Sequence, residues 1–456
     1  MTELLAALAA YGARDATGAL PPEAIHHAKR AVIDWFAALY PGTRVEPATR
    51  LVTAHARELG VGRSSLPGFA TTAFPALAAW INGSASHTVE FDDIFRDAVY
   101  HPGCPTIAAA LAVAEDRGLS GADFLRAVVV GYEISTRIGV AVQPSHYRYF
   151  HTTGTVGSFG SAAAAAALLA PGDVAAMGHA LSTAATMAAG LQQAFRSDSM
   201  SKPLHAGHAA NVGVLAAQAA AAGVTGAPDV LEGAAGFGAA LSEGAHWERA
   251  TEGLGARYNI TQVTQKNHGC CGHTFAAIDA ILELKGRGLD AASVQSIRIA
   301  TYRVALEVAG IPEPRTAAEA KFSMAYVVAH ALLHGSVRLD AFSAERLGDA
   351  RQRELMRRIT LVSDASLDAA FPGQRAARVT ATLADGRQVE HFAPCRKGDP
   401  EAPLTDAEID DKFDELAAPV LGSARAGELR SKLWRLEELS LADLGLVVAG
   451  KSGGVC

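Results

Sequence analysis

The sequence predicts a mainly helical protein: a large all-helical domain with a smaller α+β domain inserted near its C-terminus. Three observations carry this. Ala, Leu and Val recur at helical spacing through about the first 250 residues. From about residue 263 to 397 the pattern changes to short β-branched and polar stretches separated by helical ones. Helical spacing then returns from Asp406 to Leu446. The expected limits are therefore 1–262 and 398–456 for the helical domain and 263–397 for the α+β domain.

In chain order, Glu23–Leu39, Pro75–Ala85, Pro105–Arg117 and Ala122–Val140 read as helices broken at Pro, Gly or Asp. The Ala-rich stretches Ser161–Leu169 and Ala206–Ala222 imply close helix packing, since small side chains let backbones approach. In the second region, Val294–Tyr302 and Arg358–Val362 read as strands. Arg378–Leu383 and Gln388–Phe392 flank Asp385-Gly386, a strong hairpin signal. Helices are expected at Thr274–Gly286 and Ala318–Leu333.

A chain of 456 residues exceeds one ordinary core, and 49% hydrophobic against 19% charged residues describes a globular protein with a generous interior. The net charge of -7 gives no basic footprint for nucleic acid. Five scattered cysteines suggest neither a disulfide framework nor a zinc pair. The N-terminus carries a charge at Glu3 and lacks the pattern of a signal peptide. The apolar run at Ala162–Ala170 stops at Pro171-Gly172, short of the roughly 20 residues that a bilayer span needs. Cytoplasmic location and no membrane association are the expectation.

Four polar clusters punctuate the apolar pattern. Asn82–Asp93 is followed by His101-Pro102-Gly103, and three acids (Glu90, Asp92, Asp93) near a His could hold that ring in one tautomer. A solvated helix end is the plainer alternative. Tyr149–Gly160 brings His151 and Thr152 to the mouth of an Ala-rich helix, where backbone N–H groups suit an anion, or merely make a packing turn. Ser201–His208 places Lys202 at a helix start, with His205 and His208 on one face. A Lys there suits anion binding or proton transfer, whereas H-x-x-H without a further ligand makes a poor metal site. Lys266–Thr274 holds Cys270 and Cys271 in a turn entering a helix, where a thiol is either activated or simply buried. No dinucleotide fingerprint or phosphate loop is present, so neither cofactor nor metal is expected.

In order, these stretches resemble the MmgE/PrpD family: N-G-S-A-S-H-T-V-E-F-D-D with His101-Pro102-Gly103, F-H-T-T-G-T-V-G-S-F-G-S, M-S-K-P-L-H-A-G-H, Q-K-N-H-G-C-C-G-H-T, and E-A-K-F-S-M-A-Y. The resemblance implies a helical domain with an α+β lid, a homodimer, and an active site in the cleft between domains. It assigns catalytic roles to His101, His151, Lys202, Lys266 and Tyr326. Asp92, Asp93, Thr152, His205, Cys271 and His273 become candidate substrate contacts. Glu90 stands where the family's acidic stretch has Asp, and Cys271 where its decarboxylases carry His. The implied substrate is a small carboxylate attacked at the adjacent carbon. A hydro-lyase acting on a di- or tricarboxylate leads. An epimerase of an amino- or iminodicarboxylate is the alternative, with a decarboxylase or a non-catalytic carboxylate binder behind it.

Overall fold

The structure, a computed structural model, describes residues 1–195, 199–371 and 373–447. The expected C-terminal stretch 398–456 therefore lies outside the described residues from 448 onward. The chain divides into two compact units. One comprises Met1–Gln265 with Thr405–Cys456, the other Lys266–Leu404, against expected divisions at 262/263 and 397/398.

The first stretch of unit 1 runs through α1 (Glu3–Thr17), α2 (Pro22–Gly42), α3 (Pro75–Thr88), α4 (Gly103–Arg117), α5 (Gly121–Val142), α6 (Gly157–Leu169), α7 (Val174–Thr186) and α8 (Ser201–Ala221). Local signals start several of these. Pro stands at the first turn of α2 and α3, Ser120 and Asp123 form a capping box for α5, and Asp173 caps α7. α8 packs along α3 and α6, and two glycines make that approach possible. A Cβ on Gly207 would stand 2.1 Å from Oγ of Ser84, and one on Gly213 would stand 2.2 Å from Cβ of Ser161.

Unit 1 is not wholly helical, contrary to the expectation. Ser64–Leu66 (β1) and Thr71–Ala73 (β2) pair antiparallel. Three-residue strands are too short to show alternation, which is why the sequence pattern hides them.

In unit 2 a four-stranded sheet has the order β4-β3-β5-β6, built from β3 (Val294–Thr301), β4 (Ile359–Ser363), β5 (Ala377–Leu383) and β6 (Gln388–Ala393). β3 runs parallel to β4 and antiparallel to β5, and β5–β6 is the expected hairpin, turned at Gly386 with φ +84°. Alternate residues of β5 are buried, the period of a sheet with one covered face. Helix α9 (Phe275–Gly286) covers it and packs against α10 (Met324–His334). The single helix expected over Ala318–Leu333 is instead two. Ala317–Ala320 ends, and α10 restarts where the Ser323 side chain accepts from the Tyr326 N–H. A serine able to cap competes with helix continuation.

The chain then returns to unit 1 as α11 (Asp406–Leu421) and α12 (Ser423–Leu433). α11 lies along α2. It brings Asp406 to Arg30, and Lys412 to Asp34.

Candidate active site

Four segments of unit 1 build a cluster of imidazoles around one carboxylate. His87 lies in the last turn of α3, and the chain turns sharply through Val89–Phe95, with Glu90 in the left-handed region at φ +64°. A non-glycine residue there costs energy and marks a turn held by its surroundings. What holds it is visible: the Lys412 ammonium donates to Oδ1 of Asp34 (2.6 Å) and to the carbonyl of Phe91 (2.9 Å).

Asp92 is the hub. Its Oδ2 lies 2.7 Å from Nδ1 of His87, 2.9 Å from Nδ1 of His101 and 3.3 Å from Sγ of Cys104. Nδ1 of His101 is also 2.7 Å from the carbonyl of Asp93. With acceptors around Nδ1, His101 carries its proton there, which makes Nε2 the basic nitrogen. Asp93 accepts from the Tyr132 hydroxyl (2.6 Å) and the Gly103 N–H (3.0 Å). Burial nevertheless pushes its carboxyl up to about 7.

His151 stands just before a short helical turn, its N–H on the carbonyl of Gly190 (2.9 Å). Its ring stacks on His87 at 5.5 Å and lies 6.5 Å from His101, while Nδ1 is 3.1 Å from Nδ1 of His205. Burial above all, then the neighbouring His87 and Lys202, holds His151 well below the usual imidazole range. Lys202, on the first turn of α8, forms an ion pair with Glu90, and both remain partly exposed at 21% and 32%.

The structure thus gathers His101, His151, Lys202, His205, Asp92 and Asp93 in one place. It adds His87, which the candidate set lacked, and gives Glu90, named above only among the acids near a His, a partner in Lys202. His87 and Glu90 both lie in the H-T-V-E-F-D-D stretch, where a second His beside the acids was the available signal. Thr152 is buried and its Oγ1 accepts from the Gln143 amide at 3.0 Å. The neighbouring Thr153 and Thr155 hydroxyls are likewise bonded within unit 1.

The other four candidates belong to unit 2. Lys266 is buried. The Cys271 N–H donates to the carbonyl of Lys321 at 2.9 Å, while the thiol of Cys270 lies 3.2 Å from Oγ1 of Thr274 and is pushed up to about 12 by burial. Nδ1 of His273 is 2.7 Å from the Tyr302 hydroxyl, and burial lowers this imidazole to about 4. Tyr326 is fully buried with its hydroxyl donating to the carbonyl of Ala341 at 2.6 Å, a bond that ties α10 to its own unit.

Among the described residues, His87, Asp92 and Cys104 make up the one donor set close enough for a metal ion, within 4.8 Å of one another. Yet the 2.7 Å between His87 and Asp92 is a proton-bridged distance. Two ligands on a tetrahedral zinc stand about 3.3 Å apart at bonds of about 2.0 Å. Exhaustive chelation is therefore expected to leave both turnover and the melting temperature unchanged. Activity lost and then restored by one particular divalent ion would reverse that assignment.

The buried imidazoles also set an acid limit on stability. Burial lowers His205 from 6.5 to about 4, so between those values the unfolded chain binds a proton that the folded chain refuses. Its contribution is intact above pH 6.5 and is lost as the pH falls toward about 4. The urea midpoint of the parent should drop more steeply over this window than that of His205→Gln, by one proton per chain. Equal slopes would mean that His205 titrates normally.

Unit 1 thus holds a His cluster around Asp92 and an ammonium–carboxylate pair, and unit 2 is α+β. The sequence model of the MmgE/PrpD N-terminal domain matches residues 6–250, and that of the MmgE/PrpD C-terminal domain matches 268–437. The chain belongs to the MmgE/PrpD family and is an enzyme of that type. The C-terminal family domain extends past Leu404, so it takes in α11, which packs as part of unit 1. The chain is 30% identical to a cis-aconitate decarboxylase-like protein, oryM, of Aspergillus oryzae, covering 95% of this chain and 94% of that one. It is 28% identical to the cis-aconitate decarboxylase of Aspergillus terreus (93% and 91% covered) and 27% identical to that of Homo sapiens (92% and 89%). No helix among the described residues is long and apolar enough to cross a membrane.

Proposed function

We propose that the chain is a cofactor-independent lyase acting at the carbon beside a carboxylate of a small di- or tricarboxylate, with dehydration as the leading reaction. The observation that carries this reading is the cluster itself: His87 and His101 held by Asp92, and His151 buried and kept well below the usual imidazole range, beside the Lys202–Glu90 pair. A substrate carboxylate takes the ammonium of Lys202, in exchange with Glu90. An imidazole removes the proton from the adjacent carbon, and the cation stabilises the enolate-like charge that develops. A β-hydroxyl then leaves as water, taking up a proton returned by an imidazole of the cluster. Asp92 acts here by holding His101 and His87, not by touching substrate. Lys266, Tyr326, Cys271 and His273 enter this reading through the family likeness alone.

Decarboxylation is the second reading, favoured by the names of the relatives, which match over more than nine-tenths of this chain. Citrate, 2-methylcitrate and cis-aconitate, incubated with the protein in heavy water, separate the possibilities. Dehydration yields an unsaturated acid by ultraviolet absorbance. Decarboxylation releases carbon dioxide. Deuterium washed into recovered acid with neither product would point to an epimerase, and no change with any acid would defeat the reading. The family likeness also supports a homodimer, for which light scattering should give twice 47.2 kDa.

Cys271→Ser is expected to keep most of the turnover, because the substitution keeps the contact that the Cys271 N–H makes to the carbonyl of Lys321. A fall of several orders in kcat with KM intact would instead give the thiol a chemical role.

A further inference from the structure

A base that takes a proton from carbon must pass it on, and the surroundings of His151 make storage costly. The residue is 2% exposed, with His87, His101, Lys202 and His205 among its charged or chargeable neighbours. An imidazolium there would be desolvated and repelled at once.

One contact offers an outlet. Nδ1 of His151 and Nδ1 of His205 are 3.1 Å apart, so one nitrogen must carry a hydrogen and the other a lone pair. His205 also lines a cavity of about 510 Å³ open to solvent, together with Trp80, Gly190, Leu191 and Leu204. With Nδ1 turned to His151, Nε2 is the nitrogen that His205 has left for that cavity. His208 lines the same cavity, but its Nε2 lies 3.2 Å from the carbonyl of Met187.

We propose that His205 is a proton relay that connects the buried His151 to water in this cavity. When a proton from substrate carbon binds one nitrogen of His151, the Nδ1 proton of His151 passes to Nδ1 of His205, and the Nε2 proton of His205 leaves to water. Each ring gains one N–H bond and loses one, so both end neutral in the opposite tautomer. Returning a proton, to carbon or to a leaving oxygen, runs the chain backwards and restores the first tautomers. His205 on this account serves through His151 and does not touch substrate. The inference rests on the reading that His151 works on a carbon acid.

The test uses His205→Phe, which keeps a ring, and His205→Gln, which keeps a polar group if the first variant folds poorly. The readouts are kcat and KM on cis-aconitate and citrate, and deuterium uptake from heavy water, at low buffer and with added imidazole. Loss of the relay should lower kcat by about 10²-fold with KM little changed. Added imidazole, small enough for the cavity, should restore the rate along a saturating curve, while the parent stays indifferent to it. Variants as fast as the parent at every buffer strength would overturn the relay alone. So would slow variants that imidazole cannot rescue, since a packing defect behaves in that way. A parent that neither turns over nor exchanges deuterium with any of the acids would overturn the lyase reading, and the relay with it.

Discussion

Lys202→Met is expected to lower turnover on the order of 10³-fold while leaving the fold intact. Met keeps much of the length of the side chain but removes the ammonium that faces Glu90. In the proposed reaction that cation first neutralises a substrate carboxylate and then stabilises the charge left when the adjacent proton departs. Removing one preorganised electrostatic partner of this kind costs about 10²–10³-fold in rate, and the binding loss adds to it. The folded state should barely notice. Lys202 and Glu90 are both partly exposed, and pairs of that kind contribute about 0–1 kcal/mol. Circular dichroism and thermal unfolding of the variant should therefore match the parent, and deuterium exchange should all but vanish. If Lys202→Met exchanges deuterium as fast as the parent, the site is wrongly placed.

Lys412→Met is expected to do the reverse, striking stability first. The ammonium is 0% exposed and Asp34 is 1% exposed, so the variant takes the cation from a carboxylate deep in unit 1. Breaking such a buried pair from one side costs about 3–5 kcal/mol. The Phe91 carbonyl loses its donor as well, which loosens the turn carrying Glu90, Asp92 and Asp93. Adding Asp34→Asn should recover part of the loss, because a neutral pair carries no buried charge. The measurement is the urea unfolding free energy of the parent, both single variants and the double. If Lys412→Met unfolds within 1 kcal/mol of the parent, a figure of about the surface-pair size, the pair is not what holds this turn.

How much of this was legible beforehand differs by kind of interaction. Helices α2 to α5 were readable because apolar periodicity and Pro, Gly and Asp breaks are local. The β5–β6 hairpin was readable because Asp385-Gly386 suits its turn. The polar clusters could be seen as clusters, and three acids near a His did point to an oriented ring. Which ring was not legible. Asp92 reaches both His87, five residues back, and His101, and only the folded turn brings the two together. Glu90 meets Lys202 across 112 residues of chain, and Lys412 meets Asp34 across 378. No periodicity encodes such distances. The same limit explains His205: its place on a helical face was evident, but its contact with His151 depends on how α8 packs beside Gly154 and Gly190.

The assembly of unit 1 from two separated stretches has a consequence for biosynthesis. A growing chain displays Arg30, Asp34 and the carbonyl of Phe91 early, whereas Asp406 and Lys412 are made only after all of Lys266–Leu404. Until then the charged face of α2 has no helix to lie against and must stay hydrated, so consolidation of the helical unit waits for the last stretch. The Ala-rich helices of a half-made chain are thereby open to one another's surfaces for longer than in a protein whose units are continuous. A messenger truncated before Thr405 is accordingly expected to yield aggregates rather than a smaller soluble domain, and translation speed through the second unit becomes a determinant of yield.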